Sequence, residues 1–349
     1  MSDGRAARRG VRSVEETGTA TTRVLVINPR ARAAVSTTLW QRALTALRED
    51  GVGCVEIETR PDETNARRVA DLIDERRPAT VIAAGGDGTV SEVAQAVLEA
   101  HVVPAPALAI LPMGTANNVA RSIGLRSCRR DGQVAIDLAV ATARGRVAQP
   151  VDVGTVETRD GHRRYFIGSF ALGMDAHILL MRNRLRRRLA LGQRTGGYPL
   201  YLLSCALCLL SQRRAVVSVR TDDVDARQRL YNLLVLNTPL YAGEFRFGGT
   251  ANLSDGLFEL QRFSGPIDYV RQFVAAWRRH LRYSAGRTVK VPRGQHHVRE
   301  VHVELESPLP AQLDGEEFAR SVAYTIRVVP RALMVRRGIP SPATRAGED

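Results

Sequence analysis

Residues 80–92, with the sequence TVIAAGGDGTVSE, constrain the fold of this chain more than any other segment. The segment begins with an apolar run that contains β-branched residues, which is typical of a buried parallel strand. Glycines interrupt the run at Gly85, Gly86 and Gly88, and apolar residues then recur with helical spacing from Val90 onwards. A glycine turn between a strand and a helix places backbone N–H groups at the positive end of the helix, which favours phosphate binding.

Asp87 lies among these glycines. A carboxylate beside a bound anion is favourable only when a cation lies nearby, and Mg²⁺ is the simplest candidate. Glycine is expected here because a Cβ would hold phosphate oxygens away from the backbone, and because such turns often need a positive φ. The alternative is a strand, turn and helix that bind no ligand, and a glycine-rich turn alone does not decide between them.

The first part of the chain alternates between short apolar strands and amphipathic helices. Strands are predicted at 23–27, 54–58, 80–84 and 107–111, and helices at 39–47, 64–73 and after residue 89. This alternation predicts a doubly wound, mostly parallel α/β sheet. Ligands of such sheets bind at the carboxyl ends of the strands. Three polar loops fall there: Asn28–Pro29, the 85–89 turn (GGDGT) and the 112–118 segment (PMGTANN).

The pattern changes near residue 153, and short alternating runs then predict an antiparallel β-sandwich or barrel. The predicted strands lie at 151–157, 165–170, 215–220, 231–237, 257–263, 288–291, 301–306 and 323–329. Helical insertions are expected at 177–210 and 266–283, and His296–His297 is expected in a polar loop. We therefore predict a disordered tail at 1–20, an α/β nucleotide-binding domain at 21–153, a β-rich domain at 154–330 and a C-terminal tail at 331–349.

The amino-acid composition limits which partners and binding motifs are possible. The formal net charge is +14, which favours polyanionic partners, although the basic residues include a single lysine, Lys290, and the arginine bias weakens this signal. With one lysine the chain lacks the phosphate-binding lysine motifs, so phosphate contacts must come from backbone amides, arginine and metal. The four cysteines are too few and too scattered for a disulfide framework, and Cys205 and Cys208 are expected in the core.

Five segments, taken in order, resemble the diacylglycerol kinase catalytic-domain lipid kinases, a family that includes sphingosine kinases and bacterial lipid kinases. They are residues 85–89 (GGDGT), 111–117 (LPMGTAN), 151–154 (VDVG), 254–257 (SDGL) and 313–316 (LDGE). The GGDGT segment alone is less specific, because NAD kinases and phosphofructokinases also carry it. The resemblance covers about residues 23–330 and implies an active site in the cleft between the α/β domain and a lipid-substrate β-sandwich domain.

This resemblance implies an ATP- and Mg²⁺-dependent kinase that phosphorylates a hydroxyl of diacylglycerol or a related lipid. Glu316 would be the catalytic base, with Asp314 beside it. Asp87 and Asp152 would hold Mg²⁺, while Asp255 and the backbone near Asn252 would hold a structural metal ion. The implied nucleotide contacts are Asn28, Thr59, Gly85, Gly86, Asp87, Gly88, Thr89, Glu92, Gly114, Thr115 and Asn117. Without the resemblance, the LDGE segment is a type I′ hairpin turn and the SDGL segment a hairpin turn.

The chain departs from the family pattern at four sites, one of which is Gly249–Thr250 in place of a common Ala-Pro. The first loop, residues 28–32 (NPRAR), lacks the family's Ser-Gly, so a guanidinium of Arg30 or Arg32 replaces amide contacts or the loop binds phosphate less closely. Asn118 stands where many members have Asp, and Ser254 replaces the first Asp of the metal turn. Two alternatives therefore stay open: an NAD kinase-like enzyme, and a catalytically impaired basic lipid-binding module on the same scaffold.

The expected partners are a lipid substrate at the membrane surface and anionic lipid, because the arginine-rich segment 182–194 adjoins the apolar run 198–210. The alternative is a solvated basic face beside a buried helix. No specific nucleic acid is expected, since the aromatic content is 5%. The expected location is cytoplasmic, peripheral to the inner face of the membrane. The sequence leaves open the acceptor lipid and whether the chain forms a homodimer.

Overall fold

The structure, a computed structural model, describes residues 11–12, 22–33, 35–49, 51–60, 64–189, 197–223, 225–247, 252–287, 289 and 296–337. The chain divides into two compact units. Unit 1 comprises Met1–Pro150 with Leu333–Asp349, and unit 2 comprises Val151–Ala332. The chain therefore leaves unit 1 at Pro150 and returns to it at Leu333.

Unit 1 is built on a mostly parallel sheet. Its strands are β1 (Val11–Arg12), β2 (Arg23–Ile27), β3 (Cys54–Glu58), β4 (Thr80–Gly85) and β5 (Ala107–Pro112), in the order β1-β3-β2-β4-β5. The pairings of β2 with β3, β2 with β4 and β4 with β5 are parallel, whereas β1 is antiparallel to β3. Strands β2, β4 and β5 are buried along their whole length, as their continuous apolar runs predict.

The helices of unit 1 cover this sheet. They are α1 (Pro29–Arg32), α2 (Thr37–Arg48), α3 (Asn65–Arg76), α4 (Asp87–Glu99), α5 (Asn118–Ser122) and α6 (Cys128–Arg144), the last kinked at Gly132. Trp40 and Leu47 of α2 and Ile136 and Val140 of α6 pack on the strands in one core. The predicted α/β architecture is confirmed.

Unit 2 is rich in antiparallel strands. Its strands are β6 (Ala148–Thr158), β7 (Arg163–Phe166), β8 (Ser169–Gly173), β9 (Ala215–Arg220), β10 (Asp225–Leu230), β11 (Asn232–Leu236), β12 (Phe258–Phe263), β13 (His296–Val298), β14 (Glu300–Leu313) and β15 (Glu316–Arg336). The first three residues of β6 and the last four of β15 belong to unit 1. The main order is β15-β14-β8-β11-β12-β13, with β9 joining β14 to β10 and β6 joining β15 to β7. Strand β14 pairs with β9 over His302–Leu305 and with β8 over Ala311–Leu313, with register shifts in between.

Two apolar clusters lie in unit 2. One is enclosed by strands and includes Phe166, Phe170, Phe258 and Tyr324, as the prediction of a β-sandwich requires. The second lies under three helices, namely α7 (Met174–Arg188), α8 (Gly197–Ser211) and α9 (Pro266–Ser284). These helices confirm the predicted insertions. None of the helices in the described part of the chain is long and apolar enough to cross a membrane.

Several boundaries differ from the sequence-based expectation. Val11–Arg12 forms β1 rather than part of a tail, and the rest of 1–20 lies outside the described residues. The C-terminal tail predicted from residue 331 is wrong up to Arg336, because β15 continues and its Val335 pairs in parallel with Leu108 of β5. The unit boundary falls at residue 150 instead of 153.

Other strands of unit 2 also differ from those that the sequence predicts. The run 165–170 is divided between β7 and β8, and His296–His297 belongs to β13 instead of a polar loop, paired with β12. Strand β10, with the sequence DARQRL, was missed because its alternation is too polar. The predicted strand 288–291 lies outside the described residues except for Val289. Cys208 is buried and Cys205 is half-buried, as expected for core positions.

Asp175, in the first turn of α7, is a buried carboxyl group of unit 2. The Tyr269 hydroxyl donates to its Oδ1 (2.5 Å), and Asn232 Nδ2 donates to its Oδ2 (2.6 Å). Burial raises the pKa of Asp175 from 3.8 to about 6, although these hydrogen bonds oppose the rise. The folded protein therefore holds a proton between these pH values that the unfolded chain has released.

We expect this carboxyl group to make stability fall as pH rises. Below pH 3.8 both states are protonated, and between 3.8 and about 6 the folded state binds more protons, so stability is lost until the folded pKa is passed. The contribution is on the order of 2–3 kcal/mol. Urea unfolding of wild type and Asp175→Asn from pH 4 to 7 measures it. Parallel pH profiles of the two proteins would contradict the assignment.

Candidate active site

The glycine turn lies where β4 ends and α4 begins. Gly86 is the N-cap of α4 and supplies no side-chain acceptor for the first-turn amides. A Cβ on Gly85 would lie 2.3 Å from Thr89 Oγ1. The φ of Gly86 is −97°, and Gly85 also lacks a positive φ. The expectation of a left-handed turn is therefore wrong for these two residues, which must be glycine because of close packing.

A second loop contacts this turn through the backbone. A Cβ on Gly114 would lie 2.4 Å from Gly86 Cα, so the two glycines permit an approach that side chains would prevent. The amides of Met113 and Gly114 both donate to Gly85 O, at 2.8 and 3.2 Å. The sequence-predicted residues of the two loops are thus brought together at the carboxyl ends of β4 and β5.

Asn117 shapes this second loop. It adopts a left-handed conformation (φ 51°), which asparagine tolerates better than most residues. Its Oδ1 accepts from Gly114 N (2.9 Å), while Nδ2 donates to Gly114 O (2.9 Å) and Ser127 Oγ (3.2 Å). The Asn117 amide is therefore engaged within the loop, and it positions Gly114 instead of extending towards a ligand. Thr115 is exposed at the loop tip.

Asn28 links the first loop to the glycine turn. Its Oδ1 caps α1 by accepting from Arg30 N (3.0 Å) and Ala31 N (3.3 Å), and its Nδ2 donates to Thr89 Oγ1 (3.0 Å). Arg32 is half-buried and pairs with Glu58 at 3.3 Å. Two of the predicted nucleotide contacts, Asn28 and Thr89, are therefore in direct contact with each other.

Thr59 and Glu92 lie near the end of β3. The Thr59 amide donates to Ile27 O (2.8 Å). Asn65, which the sequence analysis missed, is buried, binds the backbone of Arg60 in both directions at 2.8 Å, and donates to Glu92 Oε1 (3.3 Å). The available signal was an asparagine at the second position of the predicted helix 64–73, where its side chain can bond to the preceding loop.

Asp87 contacts the N-terminus of α5. Its Oδ1 accepts from Val119 N (3.3 Å), and its Oδ2 accepts from Asn118 Nδ2 (3.4 Å). The residue that departs from the family pattern is therefore a hydrogen-bond donor to the predicted metal ligand. An aspartate at position 118 would put a second carboxylate against Asp87.

In unit 2, the LDGE segment forms a hairpin turn. Leu313 pairs with Glu316 across Asp314 and Gly315, whose φ values are 50° and 86°. Two successive positive φ angles define the type I′ turn that the sequence suggested. Glu316 is half-buried at the first position of β15. The catalytic role of Glu316 stays a prediction.

Asp314 holds this turn against the β7–β8 connection. Its Oδ2 accepts from Ile167 N (2.9 Å), and its Oδ1 accepts from Gly168 N (2.7 Å) and Ser169 N (2.8 Å). A Cβ on Gly168 would lie 2.9 Å from Asp314 Oδ1. These bonds show a positioning residue, because its carboxylate is already bound to three amides.

The Asp152 carboxylate is also bound by backbone amides. It is completely buried, and it accepts from Gly256 N (2.6 Å) and Arg331 N (2.8 Å). Asp255 Oδ1 accepts from Leu257 N (3.0 Å), and burial, followed by the nearby Asp152 charge, raises the pKa of Asp255. Asn252 Oδ1 accepts from Ser254 N (3.2 Å). The predicted residues of the second metal site therefore form a hydrogen-bonded turn.

The metal assignments stay predictions. In the parts of the chain that the structure describes, no three His, Cys, Asp or Glu side chains are grouped as metal ligands. Asp87 belongs to unit 1, whereas Asp152, Asn252 and Asp255 belong to unit 2.

The fold and the site define a class of two-unit proteins. The first unit is an α/β unit with a glycine turn of the phosphate-binding type, and the second is an antiparallel strand-rich unit with an acidic hairpin. Residues 22–156 match the diacylglycerol kinase catalytic domain family. This part of the chain is therefore similar to a kinase catalytic domain of that family.

Named relatives agree with this assignment. "Probable lipid kinase YegS" of Escherichia fergusonii is 36% identical over 116 residues, which is 33% of this chain and 36% of the relative. The protein of the same name from Salmonella arizonae is 26% identical over 225 residues, or 64% of this chain and 69% of the relative. The matched segment thus spans about a third of the first relative and about two thirds of the second.

The fold is also similar to solved structures. A crystal structure of a diacylglycerol kinase from Bacillus anthracis str. Sterne has a TM-score of 0.61 at 15% identity, over 94% of this chain and 99% of that chain. Another structure from the same strain reaches a TM-score of 0.65 at 17% identity over the same shares. At these identities the likeness shows the two-part fold alone.

Proposed function

We propose that this protein is an ATP- and Mg²⁺-dependent lipid kinase, which transfers the γ-phosphoryl group to a hydroxyl of diacylglycerol or a related lipid. The observation that carries the proposal is the backbone contact between Gly86 and Gly114 at the N-terminus of α4, within the matched kinase domain. The relatives named as lipid kinases support the acceptor class.

The residues of unit 1 fit a nucleotide phosphate. The N-cap glycine leaves the helix N-terminus without a capping side chain, and a Cβ at Gly86 or Gly114 would fill the contact between the loops. The first-turn amides of α4 would bind phosphate oxygens. The hydrogen bond between Asn28 and Thr89 would hold the first loop beside them. Thr59, Gly85, Gly88, Glu92 and Thr115 complete the proposed nucleotide contacts.

The same unit fits a magnesium ion in part. Mg²⁺ is commonly held by one or two carboxylates together with substrate phosphates, and Asp87 supplies one carboxylate beside the proposed phosphate site. When bound, the ion would neutralise the phosphate charge that grows during transfer. Asp87 is already oriented by Val119 N and Asn118 Nδ2. We keep Asp152 as a second proposed Mg²⁺ ligand, and Asp255 with the backbone near Asn252 as proposed ligands of a structural metal ion.

Asn118→Asp tests Asp87 as a ligand. Two facing carboxylates repel each other, so the variant without metal should be less stable by about 1–2 kcal/mol, and a bound cation should relieve the repulsion. Melting temperatures in EDTA and in Mg²⁺ measure both effects, with Asn118→Ala as the control that removes the amide without adding charge. An equal response of wild type and Asn118→Asp to Mg²⁺ would argue against a cation at Asp87.

In unit 2 we assign Glu316 as the general base for the acceptor hydroxyl. A lipid alcohol is a weak nucleophile, and a carboxylate within hydrogen-bond reach can accept its proton during transfer. Asp314 would fix the turn that presents Glu316 through its three amide bonds. Because the acceptor is embedded in a bilayer, we also propose anionic lipid as a partner and a position peripheral to the inner face of the membrane.

The direct test uses the purified full chain with γ-labelled ATP, Mg²⁺ and a lipid extract. We expect the label in a lipid fraction, loss of labelling with EDTA, and identification of the acceptor by mass spectrometry of the product. Labelling of no lipid fraction would overturn the proposal. Formation of NADP from NAD would favour the NAD kinase alternative. Thermal stabilisation by anionic vesicles without any by Mg-ATP would favour the impaired binding module.

A further inference from the structure

Helix α9 carries an apolar face that its packing does not explain. The helix packs on the cluster under the three helices of unit 2 through Tyr269, Phe273 and Ala276, and Tyr269 and Ala276 are 7% and 0% exposed. On a helix with about 100° per residue these three side chains point in one direction. The core therefore accounts for one face of α9.

A second apolar stripe of α9 is exposed. Its members share i, i+3, i+4 and i+7 spacing and fall within an arc of about 80°, beside the buried face. They are Ile267 (84% exposed), Val270 (46%), Val274 (39%), Trp277 (44%) and Leu281 (47%). The stripe runs for about 21 Å along the helix. Isolated exposed apolar residues are ordinary, whereas a continuous stripe of five marks an interaction surface.

Arginines flank this α9 stripe on the side away from the core. Arg271, Arg278 and Arg282 are exposed and fall within an adjacent arc of about 40°. The helix contains one acidic residue, Asp268, which pairs with Arg271 at 3.0 Å. The α9 surface is therefore divided into a buried face, an exposed apolar stripe and a cationic border.

Helix α8 also exposes apolar side chains. It packs on the same apolar cluster, and it contains no charged residue. The Arg214 guanidinium lies within 2.8 Å of the Cβ position of Gly265, the N-cap of α9, so the end of α8 approaches the start of α9. Its exposed side chains are Leu202 (49%), Leu203 (47%), Leu207 (37%) and Leu210 (89%).

We propose that α9 docks on an anionic lipid bilayer, with its apolar stripe at the boundary between headgroups and acyl chains and its arginines on lipid phosphates. Charge complementarity favours an anionic bilayer as the partner, because a cationic border beside an apolar stripe matches an anionic interface. The docking surface goes beyond the proposed kinase reaction and is measured without nucleotide, so either can fail alone.

Trp277 gives a direct readout. The chain contains two tryptophans, and Trp40 is buried in unit 1 at 5% exposure. Vesicles that contain phosphatidylglycerol should therefore shift the emission of Trp277 to shorter wavelength, and brominated lipid should quench it. Trp277→Phe should keep vesicle binding and lose this signal.

Flotation of the full chain with vesicles tests the surface itself. Trp277→Asp combined with Leu281→Asp should weaken binding about tenfold or more, whereas Val134→Asp, at an exposed position of α6, should not. Replacing Arg271, Arg278 and Arg282 by glutamine should cost about fivefold per arginine on anionic vesicles. The charge-matched control replaces the exposed Arg67, Arg126 and Arg146 by glutamine.

Three results would overturn the proposal. The first is vesicle binding that is absent at low salt, and the second is vesicle binding that the α9 substitutions leave unchanged. The third is a chain that self-associates in solution and becomes monomeric when the α9 stripe is substituted, with no change in flotation, because the stripe would then be an interface between two copies. Circular dichroism of each variant confirms that the fold is retained.

Discussion

Glu316→Gln should lower ATP-dependent lipid phosphorylation by about 10²–10⁴-fold, the range that general-base catalysis commonly contributes. Glutamine keeps the size and polarity of the side chain but cannot accept the proton of the acceptor hydroxyl at neutral pH. Because Glu316 is half-buried at a strand terminus and its pairing with Leu313 uses the backbone, the fold should be retained. The loss should appear in kcat, with the KM for ATP nearly unchanged.

Glu317→Gln is the matched control. Glu317 is the next residue of β15, is exposed, and accepts from Asn183 Nδ2 at 2.6 Å. Successive side chains of a strand point to opposite faces, so the same chemical change is made one residue away and on the other side. We expect Glu317→Gln to retain most of the activity. Equal losses in both variants, or full activity of Glu316→Gln, would remove Glu316 from the reaction.

The architecture of unit 1 was predictable because its signals are local. Strands β2, β4 and β5 are buried on both faces, so the sequence of each is a nearly continuous apolar run. The loops that follow these strands carry the polar residues. The contact between the GGDGT and PMGT loops follows from adjacent parallel strands. What the sequence missed there is the reason for the glycines, since the approach of Gly114 to Gly86 depends on a loop about 30 residues away.

Unit 2 was less predictable because its pairings are long-range. Strand β14 changes partner from β9 to β8 within 14 residues, and no local pattern encodes that change. Strand β10 is too polar to be recognised alone. The two faces of α9 were also hidden, because helical spacing reveals that apolar residues share a side without revealing which of them a neighbouring sheet covers.

The candidate site was also predictable only where its signals are local. Sequence motifs located Asp314 and Glu316 together, but the roles they take depend on contacts that the sequence does not contain. The amides of residues 167–169 lie about 145 positions before Asp314 in the chain, and only the folded unit brings them to its carboxylate. The motif therefore predicted two neighbouring acidic residues, and the structure shows that the Asp314 carboxylate holds the turn at whose end Glu316 lies.

Asp314→Ala should destabilise unit 2 by about 3–5 kcal/mol, the second large effect that we expect. The substitution removes three charge-assisted hydrogen bonds and leaves the amides of Ile167, Gly168 and Ser169 without their acceptor. Asp314→Asn keeps one acceptor oxygen and should lose about half as much. Urea unfolding measures both, and activity should fall in proportion to the loss of structure. If Asp314 instead took part in the reaction directly, Asp314→Asn would abolish phosphorylation at unchanged stability, the behaviour that we expect of Glu316→Gln.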